Sequence, residues 1–112
     1  MTIAGTTGSA GSWSYQLSSP TTVAFDPFGY LYIMDYGNDR VQRWLPGGNY
    51  GTTVVATTMY NPYRMKFDRL GNIVICDTDY HRVIQFSITC RKLFKHFFSF
   101  FFQRNEILSL NK

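Results

Sequence analysis

Four aspartates and two arginines fall in positions where side chains can do chemistry. Asp35 is followed five positions later by Arg40, and Asp77 by Arg82. Matched carboxylates of this kind can bind calcium or share acid and base work. The same spacing also lets each Asp order its own turn and pair with its Arg, and this structural reading is preferred. Asp26 and Asp68 read the same way, as acceptors for backbone amides in turns. His81 and His96 are the only histidines. One lies in a turn and the other in a basic tail, so a zinc site with three protein ligands is poorly supported. Cys76 sits at an apolar strand position and reads as a buried thiol. A disulfide from Cys76 to Cys90 would staple the last hairpin in an oxidising compartment. No nucleophile elbow, P-loop, dinucleotide fingerprint or HExxH motif is present. No cofactor or metal is therefore expected, and no catalytic constellation.

These residues need strands and tight turns to position them. Residues 22–26 alternate, with Val23 and Phe25 on one face. Residues 30–34 and 41–45 are rich in the aromatic and β-branched types that strands prefer. A second set follows at 63–68, 72–76 and 83–86, and 52–57 gives another run between the two sets. Residues 2–4 read as a counterpart of that run ahead of the first set. Asp26-Pro27-Phe28-Gly29 has the residues of a type I turn, and Asp68 and Gly71 keep its two ends. In the next turn, Gly37 and Asn38 tolerate positive φ. Asp79 and Tyr80 replace them in the second set, which leaves that turn less well specified.

The two sets are copies. A shift of 42 positions places Pro20 on Pro62, Phe25 on Phe67, Asp26 on Asp68 and Gly29 on Gly71 without a gap. Ile33 falls on Ile75, Asp35 on Asp77, Arg40 on Arg82 and Val41 on Val83. The connection ahead of each copy differs in length, with 16 positions from Ala4 to Pro20 and 6 from Ala56 to Pro62. Four short antiparallel strands in about 42 residues is the arithmetic of a β-propeller blade.

The first copy reads Pro-x-x-Val-Ala-Phe-Asp-x-x-Gly-x-Leu-Tyr-Ile-x-Asp-x-Gly-Asn-Asp-Arg-Val from Pro20. This pattern resembles an NHL repeat. The resemblance runs from Leu17 to Phe86, and the second copy departs from it at Asp79 and Tyr80. It implies an all-β fold of two four-stranded antiparallel blades in an incomplete propeller, spanning 1–90 with repeats at about 17–58 and 59–89. Val23, Phe25, Ile33, Met65, Phe67 and Ile75 are then expected to be buried. A ring needs about four to eight blades, so two of them imply a fragment or one part of an assembly. NHL propellers often act as non-catalytic scaffolds, which makes a protein or other ligand the expected partner. The alternatives are a fragment of a lactonase- or lyase-like propeller enzyme and an RNA-binding NHL propeller. Tyr63, Arg64 and Lys66 form a candidate binding rim, since aromatics beside bases suit single-stranded RNA.

The composition, 45% hydrophobic and 16% charged, suits a folded chain of one domain. The net charge of +4 arises entirely after residue 90. Arg91, Lys92, Lys95, Arg104 and Lys112 face Glu106 alone there, whereas acids and bases balance before it. A nucleic-acid partner is not expected for such a neutral body. Residues 91–112 read as a basic, Phe-rich tail, helical or disordered. Phe94, Phe97, Phe98 and Phe101 have helical spacing, while its residue types also suit translated non-coding sequence. No apolar run reaches the roughly 18–20 residues of a membrane span, and no signal peptide opens the chain. Self-association of the isolated chain is expected, because two blades leave apolar faces bare.

Overall fold

The computed structural model describes residues 1–87 and the backbone of 107–109. Its described part is all-β, with two antiparallel sheets. The first contains β1 (Pro20–Phe25), β2 (Leu31–Asp35), β3 (Arg40–Trp44) and β4 (Gly51–Ala56), paired in chain order. The second contains β5 (Pro62–Phe67), β6 (Ile73–Asp77) and β7 (Arg82–Phe86) in the same order. A short β8 (Ile107–Ser109) runs antiparallel to β7. That stretch of the tail is a strand where helix or disorder is expected. The rest of the tail, with Phe94, Phe97, Phe98, Phe101, His96 and Cys90, lies outside the described residues.

The register repeats as faithfully as the residues. Asp35 pairs with Arg40 across β2 and β3, and Asp77 with Arg82 across β6 and β7. Ile33 pairs with Val23, and Ile75 with Met65. Each first strand carries an irregularity after its proline, between Pro20 and Thr22 and between Pro62 and Arg64. Proline donates no ladder hydrogen bond, which suits the start of a strand.

The two turn types explain these boundaries. Gly29 N–H bonds to Asp26 C=O at 3.0 Å, and Gly71 N–H to Asp68 C=O at 3.1 Å. Both glycines have φ near +90°, at 90° and 87°, where a Cβ is strained. The next connection is a single 3₁₀ turn in each copy, Tyr36–Asn38 and Thr78–Tyr80. Positive φ falls one place later than Gly37 and Asn38, on Asp39 (51°) and His81 (55°). Both copies therefore make the same turn despite their different residues. Residues 1–19 form bends and turns, and the strand expected at 2–4 is not formed.

The sheets pack face to face. Tyr32, Met34 and Val41 of the first sheet meet Met65, Ile75 and Ile84 of the second in one core. The rings of Tyr32 and Phe67 meet edge to face at 4.8 Å. Thr21 Oγ1 donates to Pro62 C=O at 3.3 Å, which joins the two first strands. A smaller core holds Leu31, Ile33 and Trp44, with Ala4 and Leu17 against it. Among the described residues, no helix is long and apolar enough to cross a membrane.

Candidate functional site

The repeated Asp–Arg pairs lie at the ends of β2 and β6, where each chain segment must turn back. Asp35 Oδ2 accepts from Arg40 Nε at 2.8 Å and from Asn38 Nδ2 at 2.7 Å. Its Oδ1 accepts the backbone N–H of Ser18 at 2.6 Å. Asp77 repeats this with Arg82 Nε at 2.9 Å and the N–H of Tyr60 at 2.6 Å. Both carboxylates are fully buried, at 0% exposure. Each one ties the connection entering its sheet to the start of the next strand, and Asp35 also holds its own turn through Asn38. A carboxylate used in this way has little left to offer a substrate.

Asp26 and Asp68 close the other turns. Asp26 Oδ1 accepts from the N–H groups of Phe28 (2.9 Å) and Tyr30 (3.0 Å), and Oδ2 accepts from Tyr32 Oη (3.3 Å). Asp68 Oδ1 accepts from the N–H groups of Leu70 and Asn72, both at 2.9 Å. Its Oδ2 accepts from Asn72 Nδ2 (3.2 Å) and Gln85 Nε2 (2.7 Å). Desolvation works against ionised Asp68, but the hydrogen bonds from Asn72, Leu70 and Gln85 together outweigh it. Its carboxyl therefore titrates below the usual carboxylate value.

His81 serves its turn through its backbone. It ends the 3₁₀ turn in a left-handed conformation, with its N–H on Thr78 C=O at 3.1 Å. Among the described residues, no group of three or more His, Cys, Asp or Glu side chains is placed to hold a metal.

The outer faces of the two sheets are the other candidate surface, and here three expectations are overturned. Val23 and Phe25, expected to be buried, are 55% and 63% exposed. Their matched residues behave differently: Met65 is 4% exposed and Phe67 is half-buried. The second copy's first strand has the first sheet against that face, while among the described residues no sheet lies against the first copy's. Cys76, expected to be buried, is exposed, whereas its match Met34 is fully buried. That face of β6 points away from the first sheet. Ile33 and Ile75 are buried as expected.

The candidate rim lies on this second outer face. Arg64 and Lys66 are exposed and stand across from Cys76 and Val74. Tyr63 sits at the strand irregularity, where its ring is exposed rather than packed with Met65. The rim residues are thus together and accessible.

The grip of Asp35 on Ser18 and of Asp77 on Tyr60 was not expected from sequence. A signal existed, since the shift of 42 aligns Ser18 with Tyr60 as well as Asp35 with Asp77. Arg40 makes further contacts that had no such signal. Its guanidinium donates to the carbonyls of Ser12, Trp13 and Gln16 at 3.0–3.2 Å. No protein-family model matches the chain, and no curated protein matches it significantly.

Proposed function

We propose that the chain is a non-catalytic interaction module, an NHL-type partial β-propeller whose two sheets are successive blades. The observation that carries this reading is the contrast at matched positions. Val23 and Phe25 are exposed where Met65 and Phe67 are covered. A strand face built to be packed is thereby available to a partner. Support for the blade reading comes from the shift of 42, the equal register of both copies and their face-to-face packing. The Asp–Arg pairs hold the scaffold, and the faces and loops it presents do the binding.

Two measurements on the full chain test this. Dilute protein should bind an apolar fluorescent dye, and Val23→Ser plus Phe25→Ser should remove most of that signal while the far-ultraviolet spectrum is unchanged. Hydrolysis of lactones and aryl esters should stay at background with added calcium or zinc. Metal-dependent turnover that follows the purified chain would put the lactonase-like reading first.

The exposed cluster of Tyr63, Arg64 and Lys66 favours RNA as a second reading. Binding through n phosphates to a single strand gives a log–log salt slope of about −0.7n. RNA affinity and salt slope are expected to be the same for the full chain and for Arg64→Ala plus Lys66→Ala. A slope that flattens in the double variant would favour RNA instead.

A further inference from the structure

The two outer faces are the unused halves of an interface that the chain already makes once. Within the chain, the face of the first sheet bearing Tyr32, Met34 and Val41 packs on the face of the second bearing Met65, Ile75 and Ile84. The shift of 42 maps the first set onto Val74, Cys76 and Val83. All three are apolar or thiol side chains, and all three lie on the outer face of the second sheet. Cys76 and Val83 are exposed there, and Val74 is half-buried. The same shift maps Met65, Phe67 and Ile75 back onto Val23, Phe25 and Ile33, on the outer face of the first sheet.

The N-terminal segment continues the match. Leu17 aligns with Met59. Leu17 packs against the core of Leu31, Ile33 and Trp44, as Met59 packs within the core containing Ile73 and Ile75. The inner part of the first sheet's outer face is therefore already dressed as an interface. Among the described residues, its β1 edge, with Val23 and Phe25, stays bare.

We propose that a second copy of this chain docks head to tail, its Val74–Cys76–Val83 face on the Val23–Phe25 face of the first. This rests on the interaction-module reading and names the partner. The contact would reuse the packing between the two sheets of one chain, with Val74 against Phe25 where Tyr32 meets Phe67. Arg64 and Lys66 take the places of Thr22 and Ala24, so their long stems can lie over the Phe25 ring with their charges at the edge. Such a contact is heterologous, since each copy offers one face of each kind. It therefore propagates beyond a dimer until a ring closes or a filament forms.

Mixing variants in sedimentation velocity, with reductant present, tests the proposal on the full chain. Wild type should assemble beyond a dimer as concentration rises. Phe25→Glu and Val83→Glu should each raise the half-assembly concentration at least about tenfold. An equimolar mixture of the two should form a one-to-one dimer and nothing larger, because only one good contact remains. Cys76→Lys, on the neighbouring strand of the same face, replaces Val83→Glu if that variant fails to fold. Loss of assembly in Phe25→Glu alone would mean two β1 faces pairing with each other, and would overturn the proposal. Equal assembly of both variants and wild type would overturn it too, by placing the contact elsewhere in the chain. A wild-type chain that stays monomeric yet binds the dye through Phe25 overturns only the second copy and leaves the interaction-module reading standing.

Discussion

The two sheets of this chain share one scaffold and differ in what surrounds it. Asp35 and Asp77 hold their arginines at nearly the same distance, 2.8 and 2.9 Å. The remaining donors of each guanidinium meet different surroundings. Arg40 is pinned to three carbonyls of the long connection ahead of β1, and its side chain is 12% exposed. Arg82 has a short connection ahead of its sheet and instead stacks over the Tyr80 ring at 4.7 Å, with 31% exposure. Tyr80 stacks in turn on Tyr60 at 4.8 Å. The inner pairing is thus dictated by the repeat, while the outer contacts are fitted to whatever chain lies nearby. The packing faces follow the same logic. Met65 is buried and Val23 is exposed because, among the described residues, a sheet lies opposite Met65 alone.

Removing the buried carboxylates should separate the two copies most. Taking away one partner of a buried pair costs roughly 3–5 kcal/mol. Asp35→Ala should fall in that range, because it leaves Arg40 largely enclosed, frees the Ser18 N–H and leaves the Asn38 amide with Gly11 C=O as its remaining acceptor. Asp77→Ala should cost less, because water reaches Arg82 more easily. Urea midpoints with equal slopes would read the difference. Equal losses would mean that the long connection around Arg40 adds nothing.

The packing contrast gives the next effect. Met65→Ala should cost about 2–4 kcal/mol, in the range for large-to-small core changes. Val23→Ala at the matched position should cost about 0.5 kcal/mol or less in dilute protein, as for exposed sites. If the head-to-tail contact forms, the cost of Val23→Ala grows with protein concentration, since binding stabilises by mass action. Thermal unfolding at two concentrations a hundredfold apart checks both statements.

The glycine turns should respond alike. Gly29 and Gly71 have φ of 90° and 87°, and a Cβ at Gly29 meets only Pro46 Cγ, at ordinary contact distance of 3.8 Å. Conformational strain alone therefore sets the cost of Gly29→Ala, about 1 kcal/mol. Gly71→Ala should match it in an unfolding titration. A clear inequality would show that one turn is held by its surroundings and the other by its own residues.

Much of this was legible in the residues. The shift of 42 carried the strand order, the hairpin register and the Asp–Arg pairs, because each depends on local chemistry that the chain writes twice. The type I turns were legible for the same reason, from Asp26 with Gly29 and Asp68 with Gly71. Burial was legible only where both faces of a strand have a neighbour. Alternation marks Val23 and Phe25 as one apolar face and Cys76 as a match for Met34, but no pattern within a strand says whether a sheet lies opposite. The seat of positive φ was missed for a related reason. Gly37 and Asn38 tolerate it, yet the 3₁₀ turn places it on Asp39 and His81, residue types that also enter the left-handed region more readily than most.

The smallest effect concerns acid. Asp68 accepts four hydrogen bonds, two of them from the side chains of Asn72 and Gln85. Its folded-state carboxyl titrates below the usual value. A lowered folded value stabilises the fold fully above the unfolded carboxylate range, and this contribution is lost as pH falls through the folded value. The chain should therefore lose part of its stability below about pH 4. Asp68→Asn should lower stability at neutral pH and flatten this part of the acid profile. The loss at neutral pH is limited by one local feature. Asn72 Oδ1 is buried without a hydrogen-bond partner, so a new amide at position 68 can donate to it once the two side chains reorient. The Asp68 Oδ1 contacts to Leu70 and Asn72 N–H would survive on the amide oxygen. Unfolding midpoints between pH 3 and 7 should converge for the two proteins at the acid end. Parallel profiles across the whole range would show that Asp68 shapes its turn by geometry alone, with no contribution from its charge.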